Sequence, residues 1–302
     1  MSEGEYLDLA HLLPAAREVA LLPAHERVMR IRSDRWIGYP KAMEALNKLE
    51  ALLNWPSKQR MPNLLIIGPT NNGKSMIIEK LRRAHPAITH ADGEYMPIVN
   101  VQMPPDPSIK RFYAALLAAM GCPIRPKQQI GELEQQSLKL LQAVKVKLLV
   151  IDELHNLTAG GGNSQREFLN LLRFLGNELR IPLVGVGTKE AYLAIRTDAQ
   201  LENRFEPLVL PLWQEGADLE SLLASFAAIL PLRRPSLIAN PDMARYLVTR
   251  TEGTIGELAT LLTSTAIAAI ASGDESITPH ALNLANYDSP TERRRTFERV
   301  LL

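Results

Sequence analysis

Residues 64 to 76 read Leu64-Leu65-Ile66-Ile67-Gly68-Pro69-Thr70-Asn71-Asn72-Gly73-Lys74-Ser75-Met76. An apolar run, a glycine-bounded loop and the opening of a helical pattern follow one another. The loop fits G-x-x-x-x-G-K-[ST] in the strand–loop–helix context that gives the motif its meaning. Gly68 and Gly73 admit backbone angles and close approaches that a Cβ would block, so N–H groups from Gly68 to Met76 can converge on phosphate oxygens. The helix beyond adds its free N–H groups and the positive end of its dipole. Lys74 can reach β- and γ-phosphates, and the Ser75 hydroxyl is placed to ligate Mg²⁺. A chance glycine turn capping an ordinary helix would not need Lys-Ser at this spacing. The stretch predicts a site for a nucleoside triphosphate with Mg²⁺, and a phosphate-binding parallel α/β fold.

A second apolar run, Leu148-Leu149-Val150-Ile151, ends in Asp152-Glu153. An acid at the carboxyl end of a buried strand is where such a fold organises its metal. Asp152 would hold the Mg²⁺ water shell and Glu153 would orient or deprotonate an attacking water; otherwise the pair simply starts the next loop. Thr188 follows Val184-Gly185-Val186-Gly187 and offers a hydroxyl to the γ-phosphate or to the water. Arg204, just ahead of the run Phe205 to Leu212, is spaced to reach a neighbouring subunit's nucleotide and stabilise transition-state charge. Its alternative is an ordinary solvated arginine.

Around these motifs the pattern alternates strand and helix. A helix is expected over Lys41 to Leu53 with Met43, Leu46, Leu49, Leu52 and Leu53 facing the core. Strands are expected at Ile98 to Met103, Lys147 to Ile151, Pro182 to Gly187 and Phe205 to Leu212. Ser108 should cap a helix running to about Gly121, and further helices are expected near 130–144, 165–179 and 189–196. Gly160-Gly161-Gly162-Asn163-Ser164 reads as a connecting loop, or else as one that moves with the nucleotide state, and His155 as a loop histidine with no such duty, or else as a contact to the nucleotide site or a neighbouring subunit. Near-continuous apolar strands imply a parallel sheet covered by helices on both faces. Beyond Trp213 only helical patterns recur, at about 218–229, 241–251, 255–271 and 279–284.

The organisation expected is a lead-in over 1–35, the nucleotide-binding α/β domain over 36–212, a small helical lid over 213–288 and a polar, basic tail over 289–302. In the lead-in, Arg27, Arg30, Arg32 and Arg35 read as a solvated face, or else as a partner contact. Hydrophobic content of 46% and charged content of 22% fit a globular protein and argue against disorder. A net charge of +1 gives no global drive toward nucleic acid, so any DNA contact must be local. One cysteine, Cys122, excludes an internal disulfide. The start, Met1-Ser2-Glu3-Gly4-Glu5, lacks a signal-peptide pattern. Apolar stretches such as Ala266 to Ala271 look too short to span a bilayer, which makes the cytoplasm the expected compartment.

Taken in order, phosphate loop, Asp-Glu, polar sensor, arginine and helical lid resemble the AAA+ ATPases over about residues 35 to 285. More narrowly, the phosphate loop with Ile151-Asp152-Glu153-Leu154-His155-Asn156, Gly185-Val186-Gly187-Thr188, Arg60-Met61-Pro62-Asn63 and Asp34-Arg35-Trp36-Ile37-Gly38-Tyr39 is similar to the TniB branch of bacterial transposition ATPases, relatives of TnsC. The resemblance implies an ATPase without strand-transfer chemistry of its own. It would assemble as rings or filaments on double-stranded DNA and work with a DDE-type transposase (TniA) and a TniQ-type target adaptor. It also implies that Trp36 and Tyr39 border the adenine, with packing on the helix from Lys41 as the alternative. DNA phosphates would be met by Lys110 and Arg111 at a helix start, and by Arg125 and Lys127 beyond its end, in a sequence-tolerant, salt-dependent way; an ordinary solvated surface is the equal alternative. One departure is plain: Gly253-Thr254-Ile255-Gly256 carries glycine where many AAA+ lids carry a sensor arginine, so lid sensing by that route is in doubt. A helicase loader or replication initiator shares the motif order, but the residues after about 285 leave little room for the helix-turn-helix that initiators append. A nucleotide-regulated signalling switch is a third reading, and it would be indifferent to salt where a DNA-bound assembly would not.

Overall fold

The computed structural model describes residues 8–91, 93–125 and 127–301. It contains helices α1 (Pro14–Ala20), α2 (Ala24–Arg32) and α3 (Pro40–Leu53), strand β1 (Asn63–Ile67), α4 (Lys74–Ala84), β2 (Ile88–His90), β3 (Gly93–Tyr95), β4 (Ile98–Gln102), α5 (Ile109–Ala119), α6 (Ile130–Ala143) and β5 (Leu148–Asp152). A 3₁₀ turn over Leu154–Ala159 leads to α7 (Gly162–Leu179), β6 (Leu183–Gly187), α8 (Lys189–Arg196), α9 (Ala199–Glu202) and β7 (Phe205–Val209). Then come α10 (Ala217–Ile229), α11 (Pro241–Arg250), α12 (Ile255–Ser272), α13 (Pro279–Leu284) and α14 (Pro290–Leu301). The chain divides into two compact units. One spans Lys41–Pro211; the other joins the segment up to Pro40 with Leu212–Leu302.

In the first unit the strands run in the order β4-β5-β6-β1-β7, all parallel. Every residue of β1 and β6 is buried, the expected state of a parallel strand covered on both faces. Parallel register brings the carboxyl ends of β1, β5 and β6 to one edge of the sheet, where ligands of open α/β folds bind. Helix α3 buries Ala42, Ala45, Leu46, Leu49, Leu52 and Leu53. Met43, expected in that stripe, is exposed because it lies one residue, about 100°, round from Ala42. Strand β7 stops at Val209 rather than Leu212, since residues 210 and 211 turn their carbonyls toward the phosphate loop.

Three local features differ from the sequence expectation. The β2–β3 hairpin pairs Ile88 with Tyr95 and His90 with Gly93; its three-residue strands are too short to show a period. Helix α7 starts within the glycine run, with Gly161 at its N-cap, because the apolar face carrying Phe168, Leu172 and Leu175 extends the helix backward through residues that tolerate its first turn. The segment after 289 is a helix. Ser289 N donates to Glu292 Oε2 at 2.7 Å and Glu292 N to Ser289 Oγ at 3.2 Å, a capping box with Pro290 opening the first turn.

The second unit is helical. Helix α2 packs on α12, and α1 on α2 and α10, so the lead-in and the lid segment share one core. Helix α12 has 18 residues of mean hydropathy 1.5, long and apolar enough to cross a membrane by length and composition, which the shorter stretches considered alone did not suggest. It buries Leu258, Leu261, Leu262, Ala266 and Ala269 within this unit. Buried Glu257 near its start meets Tyr287 Oη at 3.0 Å and an Arg293 nitrogen at 2.7 Å. Arg27 corrects the solvated reading of the lead-in. It is buried and forms a two-pronged pair with Glu275 at 2.6 and 2.7 Å, and it also donates to Pro231 O at 3.2 Å. Arg35 is half-buried and donates to Ile229 O at 3.0 Å, while Arg30 and Arg32 are exposed.

Candidate functional site

The phosphate loop leaves β1 at Gly68, whose N–H donates to Gly187 O at 3.1 Å. A Cβ on Gly68 would stand 2.8 Å from Leu210 O, so no other residue fits there without displacing backbone. Asn71 (φ 58°) and Gly73 (φ 82°) are both left-handed, which curls the loop before α4 begins. Buried Asn72 pins this curl, its amide donating to Leu210 O at 3.0 Å and Pro211 O at 2.9 Å. Helix α4 has no side-chain cap, so its first N–H groups are left to an anion. Pro69 and Met76 are half-buried and Thr70 is exposed.

Lys74 is buried and folds over its own loop, with Nζ donating to Gly68 O at 2.9 Å and Pro69 O at 2.6 Å. Burial pushes its ammonium below the usual lysine range, while Glu153 and Asp152 pull it back up. Ser75 Oγ donates to Asp152 Oδ2 at 3.0 Å, joining residues 77 positions apart. A hydroxyl and a carboxylate side by side fit Mg²⁺, which takes one or two protein oxygens and fills its octahedron with phosphate and water. Asp152 Oδ1 is used differently, accepting from Glu153 N at 2.8 Å.

Glu153 has φ 54° and ψ 34°, a left-handed conformation that costs a non-glycine residue roughly 1–3 kcal/mol and clusters at functional sites. Its side chain is partly exposed, with Oε2 at 3.1 Å from His155 Nε2. Thr188 sits between β6 and α8, half-buried, its hydroxyl donating to Glu190. Glu153, Glu190 and His155 thus gather around the ends of β5 and β6. Of these, Glu190 carries no signal in the sequence and His155 reads there as a site contact only in the alternative; the close packing of two strand ends brings both to the acids.

Arg204 lies elsewhere. Its carbonyl accepts from Asn63 N at 2.9 Å and its guanidinium donates to Asn177 Oδ1 at 2.9 Å. That is the amino end of β1, about 13 Å from Ile67 at 3.3 Å per residue. Lys110, Arg111, Arg125 and Lys127 are all exposed. Ser108 caps α5 as expected, accepting from Arg111 N at 3.5 Å, and Arg111 faces Asp106 at 3.7 Å. Lys110–Arg111 and Arg125–Lys127 flank a helix about 16 Å long. Arg111 and Glu153 line one open cavity of about 500 Å³ with Gln102, Met103 and Asn156. In the helical unit, Trp36 is half-buried and Tyr39 is buried edge-on against Trp213 at 5.1 Å, which pushes its hydroxyl pKa to about 12. Gly256 stands in the first turn of α12, with Thr254 capping that helix.

Comparisons with known proteins follow the same lines. ORC1 of Aeropyrum pernix, solved in complex with DNA, has a TM-score of 0.59 at 16% identity, over 89% of this chain and 69% of that one. Cdc6p from Pyrobaculum aerophilum gives 0.57 at 18% identity, over 83% and 68%. At such identities the likeness establishes the fold alone, a parallel α/β sheet covered by helices. The ATP-binding subunit ClpE of the ATP-dependent Clp protease of Bacillus subtilis (strain 168) is 26% identical over 155 residues. That match takes in 51% of this chain, which spans only about a fifth of the relative. A family model described as Bacterial TniB protein matches residues 27–215. The match is more than half of the chain and takes in the phosphate loop, both acids, Thr188 and Arg204, and so the protein belongs to the TniB family.

Proposed function

We propose that this protein is an ATP-dependent regulator of DNA transposition, hydrolysing ATP to ADP and phosphate and assembling on duplex DNA. The observation that carries the nucleotide chemistry is the meeting of Ser75 with Asp152, with Lys74 and Glu153 at the same strand ends. Mg²⁺, held by Ser75 and Asp152, would draw charge from the phosphates. Lys74 and the N–H groups of 68–76 bind and orient the phosphates. Glu153 accepts the proton of the attacking water, and Thr188 holds the water or the γ-phosphate. Trp36 and Tyr39 are proposed for the adenine edge. Family membership supports the remaining partners: rings or filaments of this chain on double-stranded DNA, the TniA-type transposase and the TniQ-type adaptor. Turnover is proposed to be slow and stimulated by assembly.

Arg204 acts between subunits in this reading, since its end of β1 is remote from its own phosphate loop. Arg204→Ala should keep nucleotide binding by the free subunit and lose hydrolysis in the assembled state. Mixing it with Lys74→Ala protein creates interfaces that pair an intact Arg204 with an intact Lys74. Partial recovery of hydrolysis is expected; none, in an assembly shown to form, removes the role.

The DNA surface is tested by salt. Lys110→Ala with Arg111→Ala should weaken binding to any duplex sequence, and the slope of log K against log salt should become shallower by roughly two, at about 0.9 per phosphate contact. ATP binding by the free protein should be unchanged. Wild-type affinity and slope would move the DNA surface off α5, leaving Arg125 and Lys127. A replication initiator is the second reading, favoured by the fold shared with ORC1 and Cdc6p. Dependence of transposase recruitment on this protein separates the two.

A further inference from the structure

We propose that His155 is a positioning residue for hydrolysis, its Nε2–H fixing the carboxylate of Glu153 while its ring ties that carboxylate to the end of β6. The proposal rests on Glu153 being the base. Geometry carries it. Because Glu153 is left-handed, the chain reverses immediately after it, and Asn156 N donating to Glu153 O at 2.9 Å closes that turn. The reversal brings the imidazole back over the residue two positions earlier, with Nε2 at 3.1 Å from Oε2. On its other side the ring lies against β6. A Cβ on Gly187 would stand 3.6 Å from His155 Nδ1, ordinary van der Waals range, and 2.8 Å from Ala191 Cβ, so the ring lies close against the end of β6 while glycine at 187 makes room for Ala191. The 3₁₀ turn carrying His155 also packs on α8.

The nitrogens are therefore unlike. With a carboxylate beside Nε2 the proton belongs there, which makes Nδ1 an acceptor. Nδ1 is buried and has no hydrogen-bond partner among the described residues. An uncompensated buried polar atom is unusual in a native structure and calls for an explanation. Here the explanation is location: Nδ1 abuts Gly187, and the next residue is Thr188, whose hydroxyl is engaged by Glu190. The Thr188 hydroxyl and the backbone hold the Glu190 carboxyl below its usual range. A glutamate held on one side by an imidazole does not swing among rotamers when a water must be deprotonated. Loss of such orientation costs up to about 100-fold in rate.

The test uses the full chain with duplex DNA and measures ATP affinity, KM and kcat for His155→Ala, His155→Gln, His155→Asn, Glu153→Gln and the double variant His155→Ala with Glu153→Gln. His155→Ala should lower kcat about 10- to 100-fold with ATP affinity and KM nearly unchanged. His155→Gln, whose terminal N–H can reach Glu153, should recover much of the rate, and the shorter His155→Asn should not. In the Glu153→Gln background, removing the imidazole should cost nothing further. Wild-type kcat in His155→Ala, equal rates for the Gln and Asn variants, or an undiminished penalty in the double variant would each overturn the proposal. If Glu153→Gln itself hydrolyses normally, the base assignment fails and takes this inference with it. If Glu153→Gln is inactive and His155→Ala is normal, only the role of His155 falls.

Discussion

Glu153→Gln should lower ATP hydrolysis by about 10²- to 10⁴-fold, the usual contribution of a positioned general base, while nucleotide binding stays within about a factor of three. The amide has nearly the shape of the carboxylate, and the left-handed backbone is held by Asp152 Oδ1 and by the N–H of Asn156, neither of which changes. What is lost is proton affinity in a group 3.1 Å from His155. If assembly on DNA needs bound nucleotide and hydrolysis releases it, the variant should also form longer-lived DNA complexes. Hydrolysis at the wild-type rate would return Glu153 to the role of a loop residue.

Lys74→Ala should remove tight ATP binding. Two charge-assisted hydrogen bonds to phosphate are worth on the order of 3–6 kcal/mol together, which is at least about 100-fold in affinity. The ammonium is buried, and its charge is supported by Asp152 and Glu153, so alanine removes a cation held in place for the phosphates. In the free protein the change also leaves Gly68 O and Pro69 O without their donor. Thermal unfolding should therefore accompany the titration, to confirm that the loop is still built. Affinity close to wild type in a folded variant would remove the foundation of the nucleotide reading. Lys74→Arg is not a milder form of the experiment, since the planar guanidinium cannot enter the space the ammonium occupies between two carbonyls.

The phosphate loop, the two acids and Thr188 were legible because each follows an apolar run that only a buried strand explains, and because the spacing of Gly68, Gly73 and Lys74 is dictated by phosphate geometry. Helix α14 was legible and was missed. Its Ser289-Pro290-Thr291-Glu292 start is a capping box, followed by arginines rather than by an apolar period. Arg27 could not be read as buried, because its partner Glu275 lies 248 residues away and nothing local distinguishes it from Arg30 or Arg32. The same holds for His155: a histidine two residues beyond an acid is ordinary, and only the left-handed turn at Glu153 brings its ring between two strand ends. Periodicity reports which face of an element is apolar. It does not report which polar groups meet across distant turns.

The joining of α2 to the turn after α12 through Arg27 and Glu275 has a consequence for how the chain is made. The helical unit is discontinuous, with its first part before Lys41 and the rest after Leu212. During synthesis, which proceeds at about 5–20 residues per second, the phosphate-binding unit can complete its sheet once β7 has emerged. Arg27 by then has been waiting for most of the chain. Glu275 arrives some 60 residues after Leu212, so the earliest-made helices find their core last. Closing that long loop is entropically slow compared with local pairing. Until it closes, the apolar faces around Ala20 and Ile31 lack their cover, and this interval is when the nascent protein is most exposed to aggregation and to chaperones.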